Sequence, residues 1–382
     1  MGTFQIELDS EKLKETIKKA DKVCGTLEPS NRKITFFAEE GRLYLLASDG
    51  CLGGYFEISQ YLFSKNFSPF EIPLDVVKQF VSELNGKVNL IYQNGIVTFK
   101  CLNETLRLRV NYSSEEVKLP KVPQHYINIS RKQLLNEIDF VSCYLEEGQN
   151  INVFINGKVI ELISHNFGIV AYSVLKAYNI QRYVSQEDDK KVDVRANENI
   201  EDKLNKVALS IPYVSARHTI KVLDLEDNEE LKIRYSANEK KVYIEGRNLY
   251  KVCGDKPEEG PDRIGSLCKM FKQKFRINNN QLKRLLRRAL IAGKFSDMQL
   301  YTRSGELVVV SHHGSIAYKG SMEIGETESN NQFSIKTKAY LIRGALNRIG
   351  SQNVLVDVIE NWAILAAPSL TRFIILKNNT VQ

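Results

Sequence analysis

The chain has 382 residues, of which 43% are hydrophobic and 26% are charged, and it carries a formal net charge of +7. Its composition is typical of a folded soluble protein, and its length predicts two or three domains. No apolar run approaches the roughly 18 residues that a bilayer span needs, and the first residues lack the apolar core of a signal peptide. We therefore expect a cytoplasmic protein without membrane contact, in which the six scattered cysteines are reduced.

Six segments, taken in chain order, share one pattern in which an alternating strand leads into an amphipathic helix. They start at Phe4, Phe70, Tyr126, Ala208, Phe275 and Phe333, 56 to 82 residues apart. The helices are predicted over 10–23, 75–84, 130–145, 212–223, 279–292 and 338–349. Strand-like sequence with turn signals such as Asn94-Gly95 follows the helices, which predicts antiparallel hairpins. The longest spacing contains 183–206, an almost wholly polar stretch that is predicted to be a surface insertion.

The six segments pair into three predicted domains. Boundaries fall near two proline-containing linkers, KLPKVP (118–123) and GDKPEEGPDRIGSL (254–267). The domains would then be 1–122, 123–267 and 268–382. Because each domain holds two copies of the same unit, the sequence predicts an α+β fold of three domains, each an internally duplicated strand–helix–strands unit.

Positive charge is concentrated on the predicted helices, which hold 17 of the 53 basic residues and only 7 of the 46 acidic residues. The segment NNNQLKRLLRRALIAG (278–293) is the strongest case, since leucines occupy one helical face, four cations occupy the other, and no acid is present. A membrane-surface helix would carry Trp or Phe on its apolar side. A solvated surface remains the alternative for any single helix, but a bias shared by the copies favours a polyanion partner.

Lysine and arginine on several helices, with few aromatic residues among them, would contact phosphates without reading bases. A polyanion bound through its phosphates, without sequence preference, is the partner that this pattern favours; the resemblance described below implies that it is duplex DNA. The expected contacts come from Lys12, Lys18, Lys19, Lys22, Lys78, Arg131, Lys132, Arg217, Lys221, Lys283, Arg284, Arg287, Arg288, Arg343 and Arg348.

Motifs of enzymes and metal sites are not found. The sequence contains no phosphate-binding glycine loop, and its five histidines show neither H-E-x-x-H nor a spacing to cysteines that suits zinc. The acidic run 187–189 is followed by two lysines within the polar insertion, which favours a solvated loop. We expect a protein without catalytic activity, metal or other cofactor.

This organisation resembles the β sliding clamp of bacterial DNA polymerase III along essentially the whole chain. Local similarities are LRLRVNYSSEEVKLP (106–120), VFINGK (153–158), EEGPDRIGSL (258–267), QLKRLLRRALIAGKFSDMQLYTRSGELVVVSHH (281–313) and IKTKAYLIRGAL (335–346). The resemblance implies three clamp domains with antiparallel sheets outside and helices inside. It also implies that two copies join head to tail into a ring that encircles duplex DNA as a processivity factor in DNA replication.

The family also has a pocket between its second and third domains, which binds peptides of the polymerase, the clamp loader and other partners. Carried over residue by residue, its walls would be Ile155, His165, Phe167, Gly168, Ile169, Val170, Pro261, Ile264, Ile374, Ile375 and Leu376. This sequence departs from the family there. HNFGIV (165–170) replaces Thr-Asp-Gly-His-Arg-Leu, and LKNNTVQ (376–382) replaces the terminal Met-Pro-Met-Arg-Leu.

Two other functions are weighed beside the ring. A clamp-like adaptor in DNA replication or repair would bind proteins through the cleft without encircling DNA, and would be a monomer in solution. A DNA-modifying enzyme is the third alternative, and the sequence offers no acidic or metal-binding cluster to support it.

Overall fold

The computed structural model describes residues 3–59, 67–113, 117–177, 180–181, 206–235, 240–324 and 332–378. Except for Lys206, the predicted insertion 183–206 lies outside these residues. No helix in the described ranges is long and apolar enough to cross a membrane.

The described residues form seven α-helices, six of which were predicted with ends correct to within three residues. They are α1 (Ser10–Cys24), α2 (Leu74–Ser82), α3 (Arg131–Ser142), α4 (Tyr213–Leu223), α5 (Asp262–Met270), α6 (Asn279–Ala289) and α7 (Ala339–Ile349). A 3-10 turn over Leu290–Ala292 follows α6 directly. The additional helix is α5, which lies in a segment that was predicted to be a linker.

Six of the seven helices, all but α5, begin directly after a strand, and in α1 and α6 the side chain of the last strand residue caps the helix. The carboxylate of Asp9 accepts hydrogen bonds from the backbone N–H groups of Glu11 (2.9 Å) and Lys12 (3.3 Å). Asn278 caps α6 in the same way through the N–H of Gln281 (3.0 Å). An extended residue that still pairs in its sheet has the backbone conformation an N-cap requires. Each of these six helices therefore starts at a fixed position relative to its sheet.

Twenty-six strands of the described residues form four antiparallel sheets. They are β1 (Phe4–Asp9), β2 (Lys33–Glu39), β3 (Arg42–Ser48), β4 (Leu52–Ser59), β5 (Phe70–Pro73), β6 (Lys87–Gln93), β7 (Ile96–Cys101), β8 (Glu104–Arg109), β9 (Asn111–Tyr112), β10 (Tyr126–Ser130), β11 (Asn150–Asn156), β12 (Val159–Asn166), β13 (Ile169–Lys176), β14 (Ile180–Gln181), β15 (Lys206–Pro212), β16 (Glu230–Tyr235), β17 (Lys241–Glu245), β18 (Leu249–Cys253), β19 (Phe275–Asn278), β20 (Asp297–Arg303), β21 (Glu306–His313), β22 (Ile316–Glu323), β23 (Ser334–Lys338), β24 (Asn353–Ile359), β25 (Trp362–Ala366) and β26 (Arg372–Lys377). The predicted α+β class with antiparallel sheets is confirmed.

The chain divides into two compact units. The first comprises residues 1–131, 180–191 and 217–254, and the second comprises 132–179, 192–216 and 255–382. The first unit contains the sheets β1-β6-β7-β8 and β14-β10-β16-β17-β18-β4-β3-β2-β5-β9, and the second contains β15-β11-β12-β13-β26-β25-β24-β19 and β22-β21-β20-β23. In each unit one sheet joins strands of two predicted domains, and the three-domain boundaries stay a prediction.

One four-stranded pattern recurs in the sheets: a three-strand meander flanked by a strand that leads into a helix. The third strand of a meander is either paired with another third strand or lies at an open edge. In the first unit β4 pairs with β18, and in the second β13 pairs with β26. The third strands β8 and β22 lie at the edges of the two four-stranded sheets. The fold thus leaves one open edge of the same kind in each unit.

Candidate nucleic-acid interface and peptide cleft

Helix α6 separates an apolar face from a basic face, as its sequence predicts. Leu282, Leu285, Leu286 and Ala289 are buried, and α6 packs beside α7 and against β21 and β22. Its cations are Lys283, which is half-buried, and the exposed Arg284, Arg287 and Arg288. In the part of the chain that the structure describes, these four residues form no ion pair, so their charge is available to an external anion.

Helix α1 presents fewer free cations than its sequence suggested. Lys12 and Lys18 are exposed, and Lys22 lies 3.6 Å from Asp21. Lys19, which was predicted to contact DNA, is only 2% exposed. Its ammonium lies 2.8 Å from a carboxylate oxygen of Glu15 and 3.3 Å from one of Glu226. A charged group is stable in a buried position only with such partners. Because Lys19 is buried and paired, it does not contribute to a surface that could contact DNA.

Three further predicted DNA contacts are engaged within the protein. Lys78 Nζ lies 2.9 Å from Asp21 Oδ1, and Arg348 Nε lies 2.6 Å from Asp139 Oδ2. Arg131 Nη1 donates to the main-chain carbonyls of residues 223 and 224 over 3.2 and 3.1 Å. These side chains stabilise the units they belong to. Of the remaining candidates, Lys132 and Lys221 are exposed, and Arg217 and Arg343 are half-buried.

The largely buried ion pair between Glu137 and Arg372 could not be predicted from the sequence. The guanidinium of Arg372 binds both carboxylate oxygens of Glu137, with two contacts of 2.7 Å, and Ser173 donates a third hydrogen bond of 2.7 Å to the same carboxylate. The bidentate geometry is the strong form of this interaction. It links α3 to β13 and β26, which ties strands of the second and third predicted domains together.

The residues predicted to line the peptide pocket are divided between two faces of the eight-stranded sheet. Val170 and Ile375 belong to an apolar cluster with Leu267 of α5, and Ile264 packs against it. Successive side chains of a strand point to opposite faces. The remaining strand residues, which are at most 2% exposed, therefore lie on the other face; they are Ile155, Ile169, Ile374 and Leu376. One cleft cannot be walled by both sets, and the peptide pocket stays a prediction.

The turn between β12 and β13 is the exposed part of the predicted pocket. Phe167 and Gly168 both have positive φ, 46° and 77°, as a tight hairpin turn requires. Phe167 is 64% exposed, which is unusual for so large an apolar side chain, and His165 is exposed beside it. Pro261 is half-buried and directly precedes α5.

A cavity of about 860 Å³ lies elsewhere in the second unit, and none of the predicted pocket residues lines it. Its walls include Glu161, Tyr172, Gly265 and Cys268. The Tyr172 hydroxyl donates to Glu161, and burial together with that bond raises the pKa of Tyr172. Burial and the charge of Glu161 raise the pKa of the Cys268 thiol to about 12, so this thiol stays protonated and unreactive at neutral pH.

Among the described residues, no group of three or more His, Cys, Asp or Glu side chains is placed to hold a metal ion. All six cysteines are free thiols. The candidate interface thus consists of exposed cations on helices, and the peptide pocket stays a prediction.

No protein-family model and no curated sequence matches the chain. Solved structures match it over its full length. The β subunit of DNA polymerase III from Thermotoga maritima has 14% identity and a TM-score of 0.75, and the sliding clamp from Caulobacter crescentus has 13% identity and a TM-score of 0.77. The sliding clamp from Pseudomonas aeruginosa bound to griselimycin has 12% identity and a TM-score of 0.74. In each case 100% of both chains is covered. Although the sequence identity is low, the chain has, over its full length, the fold of the β sliding clamp of bacterial DNA polymerase III.

Proposed function

We propose that this protein is a DNA sliding clamp, a processivity factor that encircles duplex DNA and tethers replication proteins to it. The observation that carries the proposal is the basic face of α6, on which four cations lack any ion pair within the described chain, on a fold of the sliding-clamp type. The exposed residues Lys12, Lys18, Lys132 and Lys221 add charge on other helices of the repeat.

Such helices would hold DNA through its phosphates alone. Lysine and arginine contacts with phosphates are independent of base sequence, and their strength falls with salt concentration. A protein held this way can move along the duplex. No reacting group or cofactor is needed for this role, and the work would be done by topology and electrostatics.

Ring closure would use the two open sheet edges. Head-to-tail association of two copies brings β8 of one copy beside β22 of the other, which repeats the pairing of third strands seen in β4–β18 and β13–β26. Core-side residues at these edges are only half-buried: Leu106 and Leu108 on β8, and Tyr318 on β22. Pairing would cover them and would satisfy the main-chain groups of both edges.

Polymerase and clamp-loader peptides would bind beside α5. A clamp of the same fold is known with griselimycin bound, which supports a ligand site on this architecture. In this chain the exposed Phe167 and the half-buried Ile264 are the candidates for that contact, while Val170 and Ile375 support Ile264 from the buried cluster beneath α5.

Threading tests the proposal directly. The protein is incubated with linear duplex DNA, the ends are then blocked with bound streptavidin or left open, and retention is followed by gel filtration in moderate salt. A clamp is retained only on blocked DNA and is released when the DNA is cut between the blocks. Equal retention on open and blocked DNA would contradict encirclement. A monomer in sedimentation across the micromolar range, with no retention on either DNA, would favour the non-encircling adaptor.

A further inference from the structure

The first unit has a cavity of about 740 Å³ on the face of its ten-stranded sheet that points away from α1. Two neighbouring glycines of β4 show on which face of the sheet the cavity lies. A Cβ on Gly54 would lie 3.0 Å from Val23 of α1, so Gly53, the next residue on the strand, faces the other way. Gly53 lines the cavity and pairs with Lys251 of β18, so the cavity lies over the β4–β18 pairing.

Lysine dominates the charge of this cavity. Five lysines line it against a single acid, Glu71, which lies 3.5 Å from Lys33; the five are Lys33, Lys118, Lys121, Lys241 and Lys251. Within the described residues, neither Lys121 nor Lys251 forms an ion pair. Lys121 and Lys251 therefore bring positive charge to the cavity that no described residue pairs, and an anionic ligand would gain from it.

Apolar groups line the cavity together with the lysines. Leu46, Val117 and Pro120 contribute to the lining, together with Tyr55 and Tyr243. The two tyrosines are poor stacking platforms for unpaired bases, since Tyr243 is only 2% exposed and Tyr55 is half-buried. A lining that combines positive and apolar side chains instead matches an extended peptide that carries both acidic and apolar side chains.

In the second unit, the corresponding pair of strands is covered by the segment that contains α5. There β13 pairs with β26, and Leu267, Cys268 and Phe271 of the α5 segment pack on the residues of those strands. In the first unit the linker residues 117–123 contain no helix, and several of them line the side of the cavity. The same feature of the fold is thus covered by the chain in one unit and carries a polar cavity in the other.

We propose that this lysine-lined cavity binds an acidic, extended peptide segment of a partner protein. Carboxylates of the peptide would pair with Lys121 and Lys251, and its apolar side chains would lie against Leu46 and Pro120. The lysines lie on strands or in the linker 117–123 and belong to none of the helices proposed to contact DNA, so the inference is independent of the clamp function.

The test uses fluorescence anisotropy with the full-length protein at physiological salt. The probe is a labelled peptide of alternating glutamate and leucine, with a glutamine–leucine peptide as the uncharged comparison. We expect binding of the first peptide only, and a loss of about tenfold or more in affinity for the double variant Lys121→Glu/Lys251→Glu. The matched control is Lys100→Glu/Lys336→Glu, which changes the net charge equally at two exposed lysines outside the cavity.

A third variant addresses the cavity itself. A Cβ at Gly53 would meet nothing closer than Tyr55 at 3.7 Å, so Gly53→Glu begins without a clash at its Cβ and adds a carboxylate to the floor of the cavity. It should weaken the acidic peptide as well, with no change in the circular dichroism spectrum. Equal loss in the cavity and control doubles would overturn the proposal, since it would mean unspecific attraction. Displacement of the peptide by oligo-dT at lower concentration than by unlabelled peptide would also overturn it in favour of single-stranded DNA.

Discussion

His218 donates a hydrogen bond from Nδ1 to Asp49 Oδ2 over 2.8 Å, and both side chains are buried, with 2% and 3% exposed. The other ring nitrogen, Nε2, accepts a hydrogen bond from the backbone N–H of Thr26 over 3.3 Å, which fixes the neutral tautomer with its proton on Nδ1. The ring thereby ties α4 to the end of α1. It occupies the space beside Gly25, where an added Cβ would lie 1.8 Å from Nε2.

Gly25→Ala should therefore destabilise the protein severely. The substitution combines a positive φ of 54° with a clash against a ring that two hydrogen bonds hold in place. Gly86→Ala is the matched control, because Gly86 also has a positive φ, 92°, but nothing lies within 4 Å of its added Cβ. We expect the free energy of unfolding in urea to fall by about 1–3 kcal/mol more for Gly25→Ala than for the control. Equal losses would show that His218 moves aside freely.

The buried pair of Lys19 and Glu226 gives a second prediction. Glu226 also accepts hydrogen bonds from the side chain of Asn248 (2.7 Å) and the backbone N–H of Arg247 (3.0 Å). Lys19→Met would leave the buried carboxylate of Glu226 without its cationic partner. We expect the free energy of unfolding in urea to fall by about 3–5 kcal/mol. Lys18→Met, at an exposed neighbour, should change stability by less than about 0.5 kcal/mol. Comparable losses for the two variants would contradict the burial of the Lys19 charge.

A third prediction concerns the pH dependence of Asp21. Burial raises the pKa of this carboxyl, but Lys78 and Arg32 outweigh that effect and hold it below its ordinary value of 3.8. A depressed folded-state pKa contributes stability above the unfolded pKa, and the contribution is lost as pH falls through the folded value. Lys78→Gln should therefore lower the melting temperature at pH 7, and the difference from the unmodified protein should shrink below pH 3.8. A difference that stays constant with pH would show that Lys78 acts by packing alone.

The sequence was sufficient to predict the repeated helices and the faces of α6, because hydrophobic periodicity records which side of a helix packs on a sheet. It could not show that Lys19 is buried and Lys18 is exposed, because the two lysines are neighbours in α1 and are the same type of residue. Their difference depends on Glu226, a residue far away in the chain. Periodicity assigns a residue to a face, whereas the partners of a charge depend on tertiary structure.

Two features that the sequence analysis missed, helix α5 and the opposite faces of the pocket residues, could have been found in the sequence. Ile264, Leu267 and Cys268 have helical spacing, which indicates α5 despite the glycine and proline before it. Alternation along a strand places Ile374 and Ile375 on opposite faces, so a pocket wall that contains both was not possible for a regular strand. Pairwise resemblance to a family placed these residues in one site, and strand geometry separates them.

The open edge at β8 leads to a prediction about assembly. Leu108 pairs with Val97 on the core side of the sheet, yet it is only half-buried because no further strand covers it. Leu108→Asp should convert the proposed head-to-tail dimer into a folded monomer in sedimentation experiments, since the buried charge would have no partner there. Leu102→Asp is the control, because Leu102 lies in a turn with 83% exposure. A dimer that survives Leu108→Asp would place the contact elsewhere.

The basic face of α6 leads to a prediction about DNA affinity. Replacing Arg284, Arg287 and Arg288 by glutamine should weaken binding to duplex DNA of any sequence. The slope of log affinity against log salt concentration should become shallower by up to about 3, since each lost phosphate contact accounts for about 0.9. The matched control replaces three exposed cations of strands in the same unit, Arg276, Arg303 and Lys336, by glutamine. Equal slopes for the two triple variants would mean that DNA responds to net charge alone. A shallower slope only for the α6 variant would identify that face as the one that meets the phosphates.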